Sequence, residues 1–337
     1  MPNNSTVWKA KVIRKLIFAT FLAGVLPATA AENYADNLLA NEFIEEMVQE
    51  HGFDAEYLQT VFTAANKQQG LLDAISRPAE SVRQWKDYYP IFLTQQRRDK
   101  GLEFWRENAE ALEKAEQQYG VPAEYIVAII GVETMYGGNT GRHSVLDALS
   151  TLSFDYPPRA PFFRAQLREF LLLVREEQLD ATELTGSYAG AMGLPQFMPG
   201  SFRAFAVDFN QDGRINIWTD PTDAIGSVAN YFIEHGWKPG EEVAVQASLA
   251  SEEAIAGLTG SLTPKHTMAQ LQSMGWQPAQ QIGENTKVTA FKLEADEGPE
   301  YWLGLPNFQT ITRYNRSEMY AMAVMRLAQE LAQEYRN

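Results

Sequence analysis

The chain has 337 residues, 45% hydrophobic and 21% charged, a composition that folds around a sizeable core and has room for more than one domain. It contains no cysteine, which excludes a disulfide framework, a thiolate zinc site and a cysteine nucleophile. A formal net charge of −15 disfavours nucleic acid and anionic lipid, which require Lys and Arg against phosphate, and suits a glycan or a small molecule better.

At the amino terminus, Lys9, Lys11, Arg14 and Lys15 precede an apolar run from Leu16 to Ala28, followed by the small residues Thr29, Ala30 and Ala31. This is the pattern of a cleavable secretory signal. The run is shorter than the roughly 20 residues that span a bilayer. No cysteine follows it to take a lipid, so a soluble, secreted mature protein without a membrane anchor is predicted; an uncleaved amino-terminal anchor is the competing reading. Removing the signal takes away four basic residues and leaves a net charge of −19.

From Tyr34 to about Ala74 the pattern is helical, with Phe43, Ile44, Met47 and Val48 on one face and Gly52 ending the first helix. Ser81 to Pro90 is predicted to be irregular, and its rings Trp85, Tyr88 and Tyr89 serve either as core filler or as a sugar-stacking platform. A long polar helix follows from Arg97 to Tyr119, burying Leu102, Trp105, Leu112 and Ala115 and stopping at Gly120. Between Val121 and Gly138 the spacing predicts another helix, with Pro122 at its first position and Gly137 and Gly138 at its end. Ile126, Ile129 and Ile130 form its apolar stripe, and the next position on that stripe is Glu133. A desolvated carboxyl has a raised pKa and keeps its proton near neutrality, as a general acid must. The competing reading is a buried Glu paired with Arg142 or Arg159.

Ser144 to Leu152 and Pro161 to Gln178 read as helices, the second burying Phe163, Leu167, Phe170 and Leu171. Thr185 to Pro199 is rich in Gly and Pro, so the backbone there turns tightly and approaches something closely. Ser187 in this stretch is not centred in G-x-S-x-G and does not form a nucleophile elbow. His51, His143, His235 and His266 are scattered without H-E-x-x-H spacing and read as surface or core residues. Asp208-x-Asn210-x-Asp212-Gly213-Arg214 matches the first half of a calcium loop, with oxygen side chains at positions 1, 3 and 5 and the Arg214 carbonyl at 7. Position 12 is Thr219, so the closing carboxylate must be Asp220 or Asp223, and Asp223 is taken with the set; a metal-free Asx-turn loop is the competing reading. Pro221 starts a helix through Glu234. Strands are predicted at Val243–Ala247, Thr286–Leu293, Tyr301–Leu305 and Phe308–Thr312, with a short helix near Met268, and a final helix over Arg316–Tyr335.

The predicted class is mainly α, α+β. Its organisation is a signal over 1–30, a helical domain over 31–120, a core with the calcium loop over 121–238, a small β-containing subdomain over 239–313, and a C-terminal helix over 314–337 packing back on the body.

The ordered segments GVETMYGGNTG, VLDALSTLSFDYPPRAPFF, GSYAGAMGLPQFMPGSF, DFNQDGRINIW, DAIGSVANYF and ITRYNRSEMYAMAV resemble the membrane-bound lytic transglycosylase B family from about Tyr34 to the carboxyl end. The resemblance implies a lysozyme-like core with an added helical domain and a small β domain, acting on peptidoglycan in the periplasm. It implies that Glu133 is the single catalytic acid. Ser187 and Gln196 become polar cleft residues, with Phe197 and Met198 as wall. Tyr88, Tyr231, Tyr314, Asn315 and Tyr320 line the glycan groove, Arg159 is a groove arginine, and the Asp208 loop is a structural calcium site. Pro158 stands where many members have a second arginine, and the lipid-attachment cysteine is missing. The implied reaction is cleavage of the bond between N-acetylmuramic acid and N-acetylglucosamine, the C6 hydroxyl of the muramic acid closing a 1,6-anhydro ring, without an organic cofactor. Glycan strands are the expected partner, with cell-wall synthases as further candidates. The alternatives are a hydrolytic muramidase using Asp147 or Asp155 as a second carboxylate, and a non-catalytic peptidoglycan-binding scaffold.

Overall fold

The computed structural model describes residues 33–76 and 83–337. The segment expected to be a secretory signal lies outside the described residues, and among those described no helix is long and apolar enough to cross a membrane. The chain begins with α1 (Leu38–His51), α2 (Ala55–Ala64) and α3 (Gln69–Ser76). Asn37 caps α1 by accepting from the Ala40 N–H, and Gly52 ends it in the left-handed conformation.

The next helix departs from expectation. Trp85–Phe92 forms α4 although Pro90 lies inside it. Trp85, Tyr88, Tyr89 and Phe92 are spaced i, i+3, i+4, i+7, and their rings stack along one side at centroid distances of 5.0–6.4 Å. That packing outweighs the one hydrogen bond the proline removes. The expected long helix is two, α5 (Gln95–Glu107) and α6 (Ala109–Tyr119), broken at Asn108, whose backbone leaves helical geometry at φ −115°, ψ 24°.

Helix α7 (Ala123–Thr134) is buried on almost every side, packed against α5, α6, α11 (Pro221–Glu234) and α14 (Glu318–Arg336), so it has no single apolar stripe. It stops before the expected glycines. Met135 and Tyr136 take left-handed φ of 53° and 59°, and their N–H groups bond back to Gly131 and Ile130. Two L-residues hold this conformation because the Tyr136 ring is wedged between α5 and α7, where a Cβ on either Gly101 or Gly131 would lie 2.4 Å from its hydroxyl oxygen.

Beyond α7 come β1 (His143–Ser144), α8 (Val145–Phe154, capped by Ser144), a single 3-10 turn at Pro157–Arg159, α9 (Ala160–Glu176), β2 (Thr185–Gly186) and α10 (Pro199–Phe205). Strands β1 and β2 pair antiparallel and tie the loop after α7 to the Gly-rich segment.

The carboxyl-terminal third holds β3 (Ala244–Leu249), β4 (His266–Thr267), α12 (Met268–Ser273), β5 (Trp276–Pro278), β6 (Lys287–Ala295) and β7 (Gly298–Gly304), forming an antiparallel sheet of order β4-β6-β7-β3-β5. Alternation assigns its faces. Phe291 and Trp302 join the main hydrophobic core, whereas Val245, Ala290 and Leu303 build a second cluster with Met268, Leu271 and Trp276. The segment Phe308–Thr312, expected as a strand, is helix α13 (Pro306–Tyr314). Pro306 supplies a helical start, and Phe308 and Ile311 turn onto one buried side, with Phe308 stacked on Phe291 at 4.8 Å. The main core runs from Tyr34 to Ala332, and residues 33–337 form one compact unit.

The wedge at the end of α7 predicts that Gly131→Ala lowers stability by about 1–3 kcal/mol, through steric overlap with Tyr136. Tyr136→Phe should leave stability unchanged or raise it, because its hydroxyl is buried without a hydrogen-bond partner, and should recover part of the Gly131→Ala loss. Urea melts of the two single variants and the double variant measure this coupling.

Candidate active site

Glu133 lies in the last turn of α7, half-buried, with its carboxyl closely surrounded and one side open to a pocket. Oε1 accepts a 2.6 Å hydrogen bond from the hydroxyl of Tyr320, a residue only 2% exposed. Tyr320 is placed by Ser317, whose hydroxyl accepts from the Tyr320 N–H and caps α14. Burial pushes the carboxyl up to about 7, the Tyr320 hydrogen bond pulling weakly the other way. Among the described residues no arginine pairs with Glu133. Arg142 lines the same pocket without bonding to it, and Arg159 is exposed, lying over the rings of Phe162 and Phe163 at 4.5 and 5.2 Å.

Three phenols share the field of this carboxyl. Tyr88, Tyr314 and Tyr320 all have raised pKa values, from burial first and the Glu133 charge second. Tyr88 comes from α4, Tyr314 from the end of α13 and Tyr320 from α14, so three distant segments converge on Glu133. The Tyr314 hydroxyl donates to the Pro195 carbonyl at 2.6 Å. Behind it, Tyr231 meets Tyr314 edge-on at 4.7 Å and Phe197 packs on both at 5.7 and 5.9 Å. Two rings expected to line the groove, Tyr320 and Tyr231, and one expected as cleft wall, Phe197, are placed differently. Tyr320, Tyr231 and Phe197 are 2%, 6% and 2% exposed, and buried rings present no open face for a sugar. They support the site from behind. Tyr88 and Met198 are half-buried; Asn315 and Arg159 are exposed and do not line the Glu133 pocket.

The pocket has a volume of about 640 Å³ and is walled by the loop 137–143 on one side and by Ser187, Tyr188 and Gln196 on the other. Ser187 Oγ accepts from the Ala189 and Ala191 N–H groups and retains its own hydroxyl proton for donation. Gln196 adopts a left-handed φ of 53°, and its Nε2 donates to the carbonyls of Thr140 and Gly193 at 3.0 and 2.9 Å, joining the two walls. Sequence reasoning missed Asn139, Thr140, Arg142, His143 and Tyr188 as lining residues. The signal was the glycine density of GGNTG directly after Glu133; a side chain at Gly141 would overlap the Gly186 backbone.

Asp147 and Asp155 are committed elsewhere. Asp147 accepts from the Asn66 N–H and from Gln68 Nε2, and Asp155 holds the Tyr34 hydroxyl and an ion pair with Lys67 at 2.7 Å. Both fasten the amino-terminal segment to α8, and neither lines the Glu133 pocket.

In the Asp208 loop, Asp208 accepts from the N–H groups of Asp212 and Gly213, and Asp212 from that of Arg214. Asp223, taken with the set from the sequence, braces the loop backbone. It is fully buried, and both its oxygens accept backbone N–H bonds, Oδ1 from Phe209 and Asn210 and Oδ2 from Asn216. The carboxylate facing the loop is Asp220, 2.6 Å from Asn210 Nδ2, which also sits 3.3 Å from Asp212. A side-chain amide thus stands between two carboxylates, and turning it would present Asn210 Oδ1 instead. Asp208, Asn210, Asp212, the Arg214 carbonyl and Asp220 make an all-oxygen donor set of the kind calcium takes. Among the described residues no group of three or more His, Asp or Glu side chains is already gathered for a metal.

A protonatable carboxyl at the bottom of a polar pocket, inside a mostly helical body with one small sheet, defines an enzyme of the lysozyme-like class that breaks glycosidic bonds. The transglycosylase SLT domain family matches residues 36–329. The membrane-bound lytic murein transglycosylase B of Escherichia coli K12 is 45% identical over 309 residues, 89% of this chain and 84% of that protein. Among solved structures, the catenated lytic transglycosylase SltB1 of Pseudomonas aeruginosa is 56% identical with a TM-score of 0.89, covering 90% of this chain and 100% of that one. The E. coli lytic transglycosylase Slt35, in complex with calcium, is 45% identical with a TM-score of 0.84, covering 91% and 96%. SltB3 of P. aeruginosa, in complex with NAG-anhNAM-pentapeptide, is 29% identical with a TM-score of 0.77, covering 87% and 78%. The chain belongs to the membrane-bound lytic transglycosylase B family and is a lytic murein transglycosylase.

A carboxyl whose pKa rises from 4.5 unfolded to about 7 folded takes up protons on folding, so it favours the folded state at low pH and costs stability as pH rises through that interval. The cost approaches about 3 kcal/mol above pH 7 and is smaller where pocket water reaches the group. Glu133→Gln, which keeps an acceptor for Tyr320, is therefore expected to raise the melting temperature more at pH 8 than at pH 5. Thermal melts across that range measure it, and a pH-independent difference would contradict the assignment.

Proposed function

We propose that the protein cleaves the β-1,4 bond between N-acetylmuramic acid and N-acetylglucosamine, leaving a 1,6-anhydromuramic acid end, with Glu133 as acid and then base. One observation carries this reading: the Glu133 pocket holds one carboxyl, still protonated near neutrality, and no second carboxylate lines it among the described residues. Glycoside hydrolases of the two-carboxylate kind need a partner within about 5–9.5 Å. The candidates Asp147 and Asp155 are instead bonded to the amino-terminal segment. The ligand of SltB3, NAG-anhNAM-pentapeptide, agrees with an anhydro product.

In this mechanism Glu133 gives its proton to the bridging oxygen, and the bond from that oxygen to C1 of the muramic ring breaks. The carboxylate so formed is held by the Tyr320 hydroxyl. It then takes the proton of the C6 hydroxyl as O6 bonds to C1, so Glu133 ends protonated and no water is consumed. An internal nucleophile replaces both a water and its activating base. Ser187 orients the substrate N-acetyl group by hydrogen bonding, and Gln196 braces the pocket walls. Tyr88 and Met198 offer half-buried contact surface, while Tyr231, Tyr314 and Phe197 hold Glu133 and the Pro195 turn from behind. Arg159 and Asn315 meet parts of the strand outside the pocket. No organic cofactor takes part. Peptidoglycan strands are the partner, with cell-wall synthases as further candidates. The substrate places the protein in the periplasm, consistent with the signal pattern of residues 1–30.

Calcium is the proposed structural ion, held by Asp208, Asn210, Asp212, the Arg214 carbonyl and Asp220. The calcium complex of Slt35 and the oxygen-only donor set support it. Asp223 fixes the loop backbone whether or not the ion is bound.

Mass spectrometry of soluble products from purified peptidoglycan tests the chemistry. Muropeptides ending in 1,6-anhydromuramic acid, lighter by one water than reducing ends, are expected; reducing ends would make the enzyme a hydrolase. Glu133→Gln should lower the rate by about 10²–10⁴-fold while keeping glycan affinity. A binding scaffold would show neither cleavage nor an effect of this change. Calcium should raise the melting temperature and a chelator lower it. Asp220→Asn should remove most of this calcium response, whereas Asp223→Asn should destabilise the protein with or without calcium. An unchanged melt on chelation would refute the ion.

A further inference from the structure

Between α2 and the turn that follows α9 lies a second cavity of about 530 Å³, which shares no lining residue with the Glu133 pocket. Tyr57 of α2 lines it and is 42% exposed. The ring is braced rather than loose. It lies nearly parallel to Phe53, at 13° and a centroid distance of 6.5 Å, and Phe53 is held in turn by the Arg175 guanidinium at 4.1 Å, which donates to the His51 carbonyl. Across the cavity, Asp180 Oδ1 accepts from the N–H and the hydroxyl of Thr182 at 2.8 and 2.6 Å. These bonds hold its carboxyl below the usual range, so it is ionised. Among the described residues, Oδ2 of Asp180 and the hydroxyl of Tyr57 make no hydrogen bond within the protein.

Gln178 adds a backbone outlier. It takes a left-handed φ of 54° just past α9, where the Leu179 N–H closes the helix on the Val174 carbonyl. Glycine makes this stop without cost, whereas a glutamine bears strain there. Its side chain lines the cavity and, among the described residues, has no partner in the protein.

A fixed ring, an ionised carboxylate with a free oxygen and an unpaired amide suit a sugar. The C–H face of a pyranose packs on an aromatic ring, its hydroxyls donate to a carboxylate, and the amide both donates and accepts. Val61, Ala64 and Leu179 give the methyl of an N-acetyl group an apolar wall. Asp180 repels phosphates and carboxylates, which favours a neutral glycan over an anionic partner. The cavity is also close to the reaction. Thr182 precedes Ser187 by five positions, through β2, so the two are at most about 18 Å apart along the chain.

Resting on the reading that peptidoglycan strands are the substrate, we propose that the Tyr57 cavity is an auxiliary subsite for neutral, N-acetylated glycan that holds a stretch of the strand away from the bond being cleaved. Two linked contacts on one polymer bind it more tightly than either alone, so long strands are favoured over short ones.

The experiment is calorimetry on Glu133→Gln, with long peptide-free glycan strands and with a peptide-free disaccharide, which occupies one site at a time. Adding Tyr57→Ala should weaken the long strand about tenfold, or about 1.4 kcal/mol, and leave the disaccharide unchanged. Tyr57→Phe keeps the ring and should restore most of the loss. Gln178→Gly relieves the backbone, so its melting temperature should not fall, yet its affinity for the long strand should. A loss equal for both ligands, or no loss, in Tyr57→Ala overturns the subsite, and an unchanged long-strand affinity in Gln178→Gly removes the glutamine from it. Because the affinities are read without cleavage, a length-dependent loss upholds the subsite even if the products prove to be reducing ends, and its absence overturns it even if they are anhydro.

Discussion

Glu133 holds a largely desolvated carboxyl beside the Tyr320 hydroxyl at 2.6 Å, and the surrounding structure is arranged to hold that contact. Burying an ionisable group costs free energy unless its neutral form is favoured or a partner is supplied. Among the described residues no arginine pairs with it, so burial favours its protonated form. The contact joins the last turn of α7 to the first turn of α14, nearly two hundred residues apart in the chain. It therefore needs a core that fixes two helices against one another, and the packing of α7 against α14, α5, α11 and α6 provides it.

The fastenings around the site go largely to backbone carbonyls. Arg97, buried and without a carboxylate partner among the described residues, donates to Gly131 on α7 and Ile91 on α4, so the helix bearing Tyr88 is tied to the helix bearing Glu133. Thr134 Oγ1 lies 3.0 Å from the Leu194 carbonyl, Tyr314 reaches Pro195, and Gln196 reaches Thr140. These bonds place the Gly-rich segment over the end of α7. Side-chain donors aimed at carbonyls fix the walls without adding a negative charge near the carboxyl, which would raise its pKa further.

More remote parts act on the site through this packing. The sheet presents Phe291 and Trp302 to the main core, and Phe308 stacked on Phe291 sets α13, whose last residue is Tyr314. The Asp208 loop precedes α11, which contributes Tyr231, and Lys114 on α6 donates to the Phe209 carbonyl within it. Ordering that loop by the backbone bonds to Asp223 steadies the helix against which Tyr314 rests.

The sequence by itself determined the parts whose signals are local. Caps and stops marked most helices: Gly52 after α1, Gly120 after α6, and Pro221 opening α11. An acidic residue on an apolar helix singled out Glu133, and short motifs in order pointed to the family. Local signals misled where tertiary packing outweighed them. Pro90 hid a helix held by four stacked rings, β-prone Phe308–Thr312 became helix α13 under the sheet, and two left-handed L-residues, not the glycines, ended α7 because Tyr136 is wedged there. Only the tertiary structure decided which side chains meet. It showed Tyr320 bonded to Glu133, Tyr231 and Phe197 behind the site with their faces covered, Asp220 bonded to Asn210 while Asp223 is buried under the loop backbone, and Asp147 and Asp155 spent on the amino-terminal segment. Residue type and spacing state what a group is able to do. Its protonation, partners and access depend on neighbours that are distant in the chain and come together only when it folds.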